Sequence, residues 1–303
     1  MKTSFECLAC YLRQTLQVAR ISSGDQELHL ASLRRVAELI MTMDMERTPP
    51  ENSVAVYRAI AEITACEDPY RVIKQQSNEQ ALSVLPECKR VVAASSDPLA
   101  TALRLAIGGN IIDYGAMHSF DVDAAMERCL SVPLTVDQSL TLLQRLRELP
   151  RNGKVLYLAD NSGEIVYDSL VVHELAAMGL DVTVAVKSGP IINDALFADA
   201  QECGLLSKAR VVENGTSCPG TPLETCSAEF MQVFNGADLI ISKGQGNFET
   251  LSESATEIFF LLTVKCSVVG AHLAKISDTP RENLPGAGEL VLFHYTGKEK
   301  NNA

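Results

Sequence analysis

The stretch Lys154-Val155-Leu156-Tyr157-Leu158-Ala159-Asp160-Asn161-Ser162-Gly163-Glu164 decides how this chain folds. Val155 to Leu158 is a short, nearly unbroken apolar run, as expected of a strand buried on both faces in a parallel sheet. Gly163 permits a tight turn, and helical apolar spacing continues from there to about Met178. A second apolar run, Val182 to Val186, follows. Strand, helix and strand at this spacing predict a βαβ unit with two neighbouring parallel strands.

Further along the chain, strand-like runs recur at Ala209–Val212, Leu239–Ser242, about Phe259–Val264 and Glu289–His294, mostly with helical patterns between them. Toward the amino terminus the texture is helical. Leu8, Leu12, Leu16 and Val18 share one spacing, and Leu28, Leu33, Val36, Leu39 and Ile40 another; a third helix is expected over 53–65. Asp68-Pro69 and Asp97-Pro98 each pair a capping carboxylate with a proline suited to a first helical turn, and Gly108-Gly109 ends the second of these helices. The expected architecture is α/β. A helical N-terminal region, 1–150, precedes an α/β metal-binding catalytic domain, 151–303, built on an open, mainly parallel α/β/α sheet of Rossmann-like type.

Composition narrows the function. The chain has 303 residues, of which 47% are hydrophobic, and a formal net charge of −12. So negative a surface repels a phosphate backbone, which argues against a nucleic-acid partner and makes any anionic substrate depend on locally placed cations. There is no apolar run behind a basic cluster at the start, and none of about 18 residues elsewhere, so neither a signal peptide nor a membrane span is expected. The nine cysteines are odd in number and irregularly spaced, which fits reduced thiols in a cytoplasmic protein. The last residues, GKEKNNA, read as a solvated tail.

Four segments carry chemistry. Asp160 and Asn161 sit at the carboxyl end of a strand, where open α/β sheets bind ligands, and offer two hard oxygens suited to a divalent cation. The competing reading is that one of them caps the following helix. Asp194, in Lys187-Ser188-Gly189-Pro190-Ile191-Ile192-Asn193-Asp194, falls beyond the adjacent strand and completes an oxygen set; a helix cap is the alternative there too. Lys187 reads as a loop lysine more readily than as an anion contact. Ser242-Lys243-Gly244-Gln245-Gly246-Asn247 follows a third strand, and its glycines allow backbone N–H groups to approach an anion, with Lys243 supplying positive charge. Gly108-Gly109-Asn110-Ile111-Ile112-Asp113 reads first as a capped turn, from which Asn110 and Asp113 could reach a cleft. Glu164 is either a general base or a first-turn glutamate favouring the helix dipole. Cys7 and Cys10 share a helical face and read as buried thiols before a metal or disulfide pair, with Cys66 or Cys88 as conceivable partners. His118 reads as an exposed histidine before an acid.

Together these segments resemble the damage-control phosphatase family, also called the acidic-residue-methyltransferase-like metal-binding domain. The resemblance rests on the opening Cys-Leu-Ala-Cys, on DPYRVIKQQSNEQAL from Asp68, and on GGNIIDYG, LADNSGE, INDA and SKGQGNFETL, in that order. It is closest to the prokaryotic branch with an N-terminal CxxC, and the Arg-Thr-x-Lys signature of some eukaryotic members is missing. The resemblance implies a phosphatase dependent on a divalent metal (Mg²⁺, Mn²⁺, Co²⁺ or Ni²⁺) that hydrolyses small phosphorylated metabolites. It implies Asp160, Asn161 and Asp194 as metal ligands, with Asp160, Asn161 and Lys243 in catalysis. Asn110, Asp113, Glu164, Gly244, Gln245 and Asn247 would meet the substrate. Two alternatives stand beside it: an S-adenosylmethionine-dependent carboxyl methyltransferase, disfavoured by the Gly-poor first turn, and a non-catalytic metal- or redox-responsive module built on Cys7 and Cys10.

Overall fold

The computed structural model describes residues 1–109 and 122–297. The segment that holds Asn110, Asp113 and His118, and the tail from Lys298, lie outside the described residues.

Five helices open the chain: α1 (Phe5–Ser22), α2 (Gln26–Met41), α3 (Pro49–Thr64), α4 (Arg71–Ala94) and α5 (Pro98–Ile107). Local chemistry sets three of their starts. Asp25 accepts from Glu27 N at 2.9 Å and Asp97 from Ala100 N at 3.1 Å. Thr48 and Glu51 form a reciprocal capping box ahead of Pro49-Pro50, so α3 begins earlier than the apolar spacing suggested. Asp68-Pro69 behaves differently from its expected cap. Helix α4 starts at Arg71 with Tyr70 as its N-cap, because the Asp68 carboxylate turns to the buried Lys74 ammonium, 3.2 Å away. A desolvated cation is a stronger partner for that carboxylate than helix N–H groups in contact with water.

After the undescribed segment come α6 (Val122–Ser131), β1 (Val136–Asp137), α7 (Ser139–Glu148), β2 (Lys154–Leu158), α8 (Glu164–Ala177), β3 (Asp181–Val186) and α9 (Phe197–Glu202). Then follow β4 (Arg210–Glu213), α10 (Ala228–Gly236), β5 (Leu239–Lys243), α11 (Gln245–Leu251), β6 (Ile258–Val264), α12 (Ser267–Ser277) and β7 (Glu289–Tyr295). The strands form one seven-stranded sheet in the order β1-β7-β6-β5-β2-β3-β4. Every neighbouring pair is parallel except β6 with β7. The architecture is the anticipated mainly parallel α/β sheet. Strand β1 was not anticipated, since two residues carry no readable alternation; it pairs with β7 through Val136 and Asp137.

Side-chain alternation along the strands builds a core on each face. On one face Val155, Tyr157, Val184, Ile241 and Phe259 pack with Leu103 and Leu105 of α5, Leu142 and Leu146 of α7, and Val171 of α8. On the other, Leu156, Leu158, Ile240 and Phe260 meet Phe230 of α10, Phe248 of α11 and Leu273 of α12. Helices α1 to α3 have a smaller core of their own around Tyr11, Val18, Val36, Val56 and Ile60, and α3 also packs on α11.

Strand β2 has β3 on one side and β5 on the other, so the chain leaves it first one way and later the other. That reversal of strand order opens a crevice at the carboxyl ends of β2 and β5. Leu105 is fully buried in the shared core of helix layer and sheet. Leu105→Ala is expected to lower the unfolding free energy by about 2–5 kcal/mol in urea titrations.

Candidate metal and phosphate site

The crevice is where the sequence motifs meet. The loop after β2 and the loop after β3 are joined by main-chain bonds. Ala195 N donates to Asp160 O at 2.8 Å and Ser162 N to Asn193 O at 2.9 Å, while Asn161 and Asp194 pair as an isolated antiparallel bridge. Gly163, at φ 77°, makes the turn into α8 and gives its N–H to the Asn78 side chain of α4 at 2.7 Å. Neither loop carboxylate serves as a helix cap. Helix α8 has no side-chain cap, and α9 is preceded by Leu196, whose N–H goes to Asp199 Oδ2 at 2.7 Å. Asp160, Asn161 and Asp194 are therefore brought together with their side chains free of that task.

The polar environment is strained electrostatically. Asp160, Asn161, Glu164 and Asp194 are all buried, at 9%, 8%, 4% and 3% exposure. Asn161 Nδ2 bridges Asp160 Oδ2 at 2.9 Å and Glu164 Oε1 at 2.8 Å. Asp194 Oδ2 is buried without a hydrogen-bond partner. Burial, then the charges of Glu164 and Asp194, push the Asp160 carboxyl up to about 8. Burial lifts Asp194 to about 6 against the opposing pull of Lys187. Four buried carboxyls, Asp160, Glu164, Asp168 and Asp194, face two buried ammonium groups, Lys187 and Lys243. The crowding of buried carboxyls, an Asp194 oxygen without a hydrogen bond and the hard-oxygen chemistry of the donors all suit a divalent cation. Among the described residues no three His, Cys, Asp or Glu side chains gather as a metal group, so the fit is to a mixed set of two carboxylates and a carboxamide.

The lysines take distinct roles. Lys243 lines the cleft with Asp160, Glu164, Gly244, Gln245 and Lys265. Its ammonium, read from sequence as a phosphate contact, is engaged by protein acceptors: Asp168 Oδ1 at 2.7 Å, Ala106 O at 2.9 Å and Glu164 Oε2 at 3.6 Å. Burial pulls its pKa down, but Asp168 and Glu164 together hold it above the ordinary lysine value. Lys187 is no loop lysine. It is 2% exposed and bonds Gly220 O at 2.6 Å and Asn247 Oδ1 at 3.4 Å, with Asp194 Oδ2 at 3.7 Å.

Asn247 acts as a brace. Its amide N–H groups go to Lys243 O at 2.8 Å and Ala159 O at 3.1 Å, and its oxygen receives Thr221 Oγ1 at 2.7 Å. Gln245 accepts Lys265 N at 2.9 Å and donates to Glu249 at 2.8 Å, which fixes the end of β6 beside the cleft. Lys265 is exposed there, and its ammonium has no hydrogen bond or ion pair among the described residues. Gly109 stands over the first turn of α8, where an added Cβ would lie 3.7 Å from Glu164 Cγ.

Sequence reasoning passed over Lys265, Asp168 and Asn78 and favoured a loop role for Lys187. Lys187 and Lys265 directly follow apolar strand runs, as Lys243 ends one, and that shared position was the available signal. Asp168 is a lone acid in the apolar run Ile165-Val166-Tyr167-Asp168-Ser169-Leu170, a pattern that points to a buried pair. Asn78 lies in a polar helix segment and carries no such signal. The thiols are all free. Cys88 packs on Met126, 3.6 Å away, and Cys7 and Cys10 each share an electrostatic environment with Cys266 in place of Cys66 or Cys88.

Gly244 has a role only glycine fills. Its φ is +84°, and a Cβ there would stand 2.0 Å from Asp160 Cγ. Gly244→Ala is expected to cost more than about 1 kcal/mol in stability and to displace Asp160, seen as a lower melting temperature together with a crystallographic shift of that carboxylate.

Comparison with known proteins bears on the family and the fold. Residues 3–279 match the family described as the Damage-control phosphatase ARMT1-like domain. A damage-control phosphatase of Pyrococcus horikoshii is 34% identical over 277 residues, covering 90% of this chain and 94% of the relative. One of Archaeoglobus fulgidus is 33% identical over 277 residues, covering 90% and 96%. The mouse 4'-phosphopantetheine phosphatase is 29% identical over 192 residues, which are 53% of this chain and 23% of that protein. The crystal structure of a DUF89 family protein from Pyrococcus horikoshii superposes with a TM-score of 0.86 at 32% identity, covering 97% of this chain and 99% of the other. With its strand-end motifs gathered in one crevice and its length matched almost throughout, the chain belongs to the damage-control phosphatase ARMT1-like domain family.

Proposed function

We propose that this protein is a divalent-metal-dependent phosphatase that hydrolyses small phosphorylated metabolites. The observation that supports the reading most directly is the meeting of Asp160, Asn161 and Asp194 at the strand switch, buried and free of capping. A cation held by these three, Mg²⁺, Mn²⁺, Co²⁺ or Ni²⁺, would supply Lewis-acid polarisation of the phosphoryl group and offset its charge. The chain's own residues do the remainder. Asn161 keeps the carboxylates of Asp160 and Glu164 apart through its amide. Lys187 and Lys243 keep Asp194 and Glu164 in place as fixed counter-charges. Lys265, whose ammonium has no hydrogen bond or ion pair among the described residues, meets the incoming phosphate, and Gln245 sets its position through the main chain. Glu164 is placed to orient a proton-bearing nucleophile. Free thiols throughout, and the lack among the described residues of any helix long and apolar enough to cross a membrane, support a cytoplasmic setting.

Phosphate release from a panel of phosphomonoesters with each of the four metals tests the reading. Asp160→Ala is expected to remove nearly all turnover. Lys265→Ala is expected to raise KM roughly tenfold with an unchanged melting temperature, since its side chain is exposed. Phosphate release by Asp160→Ala equal to the wild type sinks the proposal.

Metal dependence has a second readout. Unfolded carboxyls release their protons near pH 4, whereas the folded chain holds them to about 6 at Asp194 and about 8 at Asp160. The folded state therefore binds more protons across that window, and without added cation stability falls as pH rises from about 4 to about 8. A cation takes the deprotonated oxygens. The rise in melting temperature on adding MnCl₂ is expected to be larger at pH 8 than at pH 6; equal rises would count against these ligands.

A further inference from the structure

Asn78 of α4 holds both Gly163, at the start of α8, and the Asp199 and Glu202 carboxylates of α9. From that tie α4 and α8 pack along one another. Farther on, these two helices and the turn after α9 frame a cavity of about 470 Å³. Small-molecule sites commonly have volumes of about 300–1,000 Å³. No residue of this lining also lines the crevice of Asp160 and Lys243. Along α8 the step from Glu164 at the crevice to His173 at the cavity is about 14 Å.

The floor of the cavity is apolar. Val92, Leu170 and Leu205 are buried there as part of the core between helices and sheet. Cys203 lies beside them, and burial pushes its thiol up to about 12, so it stays protonated and serves as a soft wall. The rim is cationic. Lys89 and Lys208 are exposed, and neither they nor His173 make a side-chain hydrogen bond or ion pair among the described residues. Glu174 is the acid of the lining, and it forms no ion pair with either lysine. Ser169 and Ser207 give their hydroxyls to Val166 O at 2.5 Å and Gly204 O at 2.8 Å. The side-chain donors left to a ligand are therefore Lys89, Lys208 and His173. In a chain of net charge −12, two open ammonium groups above an apolar floor form a local attraction for anions.

We infer that this cavity is a second ligand site, separate from the crevice, that takes a small organic anion. The apolar body of the ligand rests on Leu170 and Leu205, and its carboxylate or phosphate head meets Lys89 and Lys208. The inference goes beyond the phosphatase reading and does not depend on it.

The test uses the full chain and 1-anilinonaphthalene-8-sulfonate, an aromatic anion that fluoresces once shielded from water. The wild type is expected to bind it saturably, and Lys89→Glu/Lys208→Glu to weaken that binding by roughly tenfold or more. Arg34→Glu/Lys275→Glu makes the same change of net charge on exposed residues outside the cavity and is expected to bind as the wild type does. Ala93 of α4 is exposed and lines the cavity, so Ala93→Trp fills it and is expected to weaken binding as strongly as the lysine reversal. Octanoate and octyl phosphate are expected to displace the probe at concentrations roughly tenfold below octyltrimethylammonium, and the stronger of the two identifies the head group. Melting temperatures establish that each variant folds, and one that does not is replaced by Lys89→Ala/Lys208→Ala or Ala93→Phe. The inference is overturned by a wild type that shows no saturable binding, or by affinity unchanged in either cavity variant. Equal weakening in the charge-matched control, or displacement by octyltrimethylammonium as strong as by the two anions, overturns it too. Each of these results leaves the phosphatase reading as it stands.

Discussion

The structure turns on an imbalance of buried charge. Four carboxyls and two ammonium groups share the crevice between β2 and β5, away from water, and burial there is costly for any ion without a partner. Each lysine is placed to offset one part of that cost. Lys243 ties Asp168 on α8 to the carbonyl of Ala106 on α5, and Lys187 ties the loop at Gly220 to Asp194 and Asn247. What they leave over is a crowd of buried carboxyls, beside an oxygen of Asp194 that makes no hydrogen bond and lies 3.7 Å from the Lys187 ammonium. That crowding is what the proposed cation, and through it a phosphate dianion, would relieve.

This arrangement separates lysines that build the site from the one that faces outward. Lys187 and Lys243 are almost fully buried and bonded on several sides, so they keep carboxylates in register and have little freedom to follow a substrate. Lys265 stands at the mouth without a side-chain partner among the described residues, and the glutamine after Gly244 fixes its main chain. In an acidic protein this matters for encounter. On the proposed reading, a phosphorylated metabolite approaching a surface of net charge −12 would be repelled until it came within reach of Lys265 and the site behind it.

The helices before the sheet take part in the site's chemistry. Asn78 of α4 holds the turn at Gly163 while its own N–H groups grip Asp199 and Glu202, at 2.7 and 2.9 Å. Ala106 of α5 takes the Lys243 ammonium. The α3–α4 turn sets Asp68 against the buried Lys74 ammonium of α4. The proposed chemistry sits at the strand ends, and the helical layer holds the loops there in place.

The sequence alone determined the period of each element, and from that the class of the fold. Continuous apolar runs followed by helical spacing admit little besides parallel strands with crossover helices, so β2, β3, β5 and the strand-end places of Asp160, Asn161 and Asp194 were legible. The cap at Asp97 was legible too, because capping is a contact between residues two or three apart. Tertiary structure decided everything that depends on distant partners. Asp68 left its expected helix cap for Lys74, and Lys243 turned to Asp168. Lys187 became buried, and a two-residue strand joined the sheet edge. The physical reason is the same in each case. A charged side chain chooses its partner by the dielectric around it, and burial arises only when segments far apart in sequence close over one another.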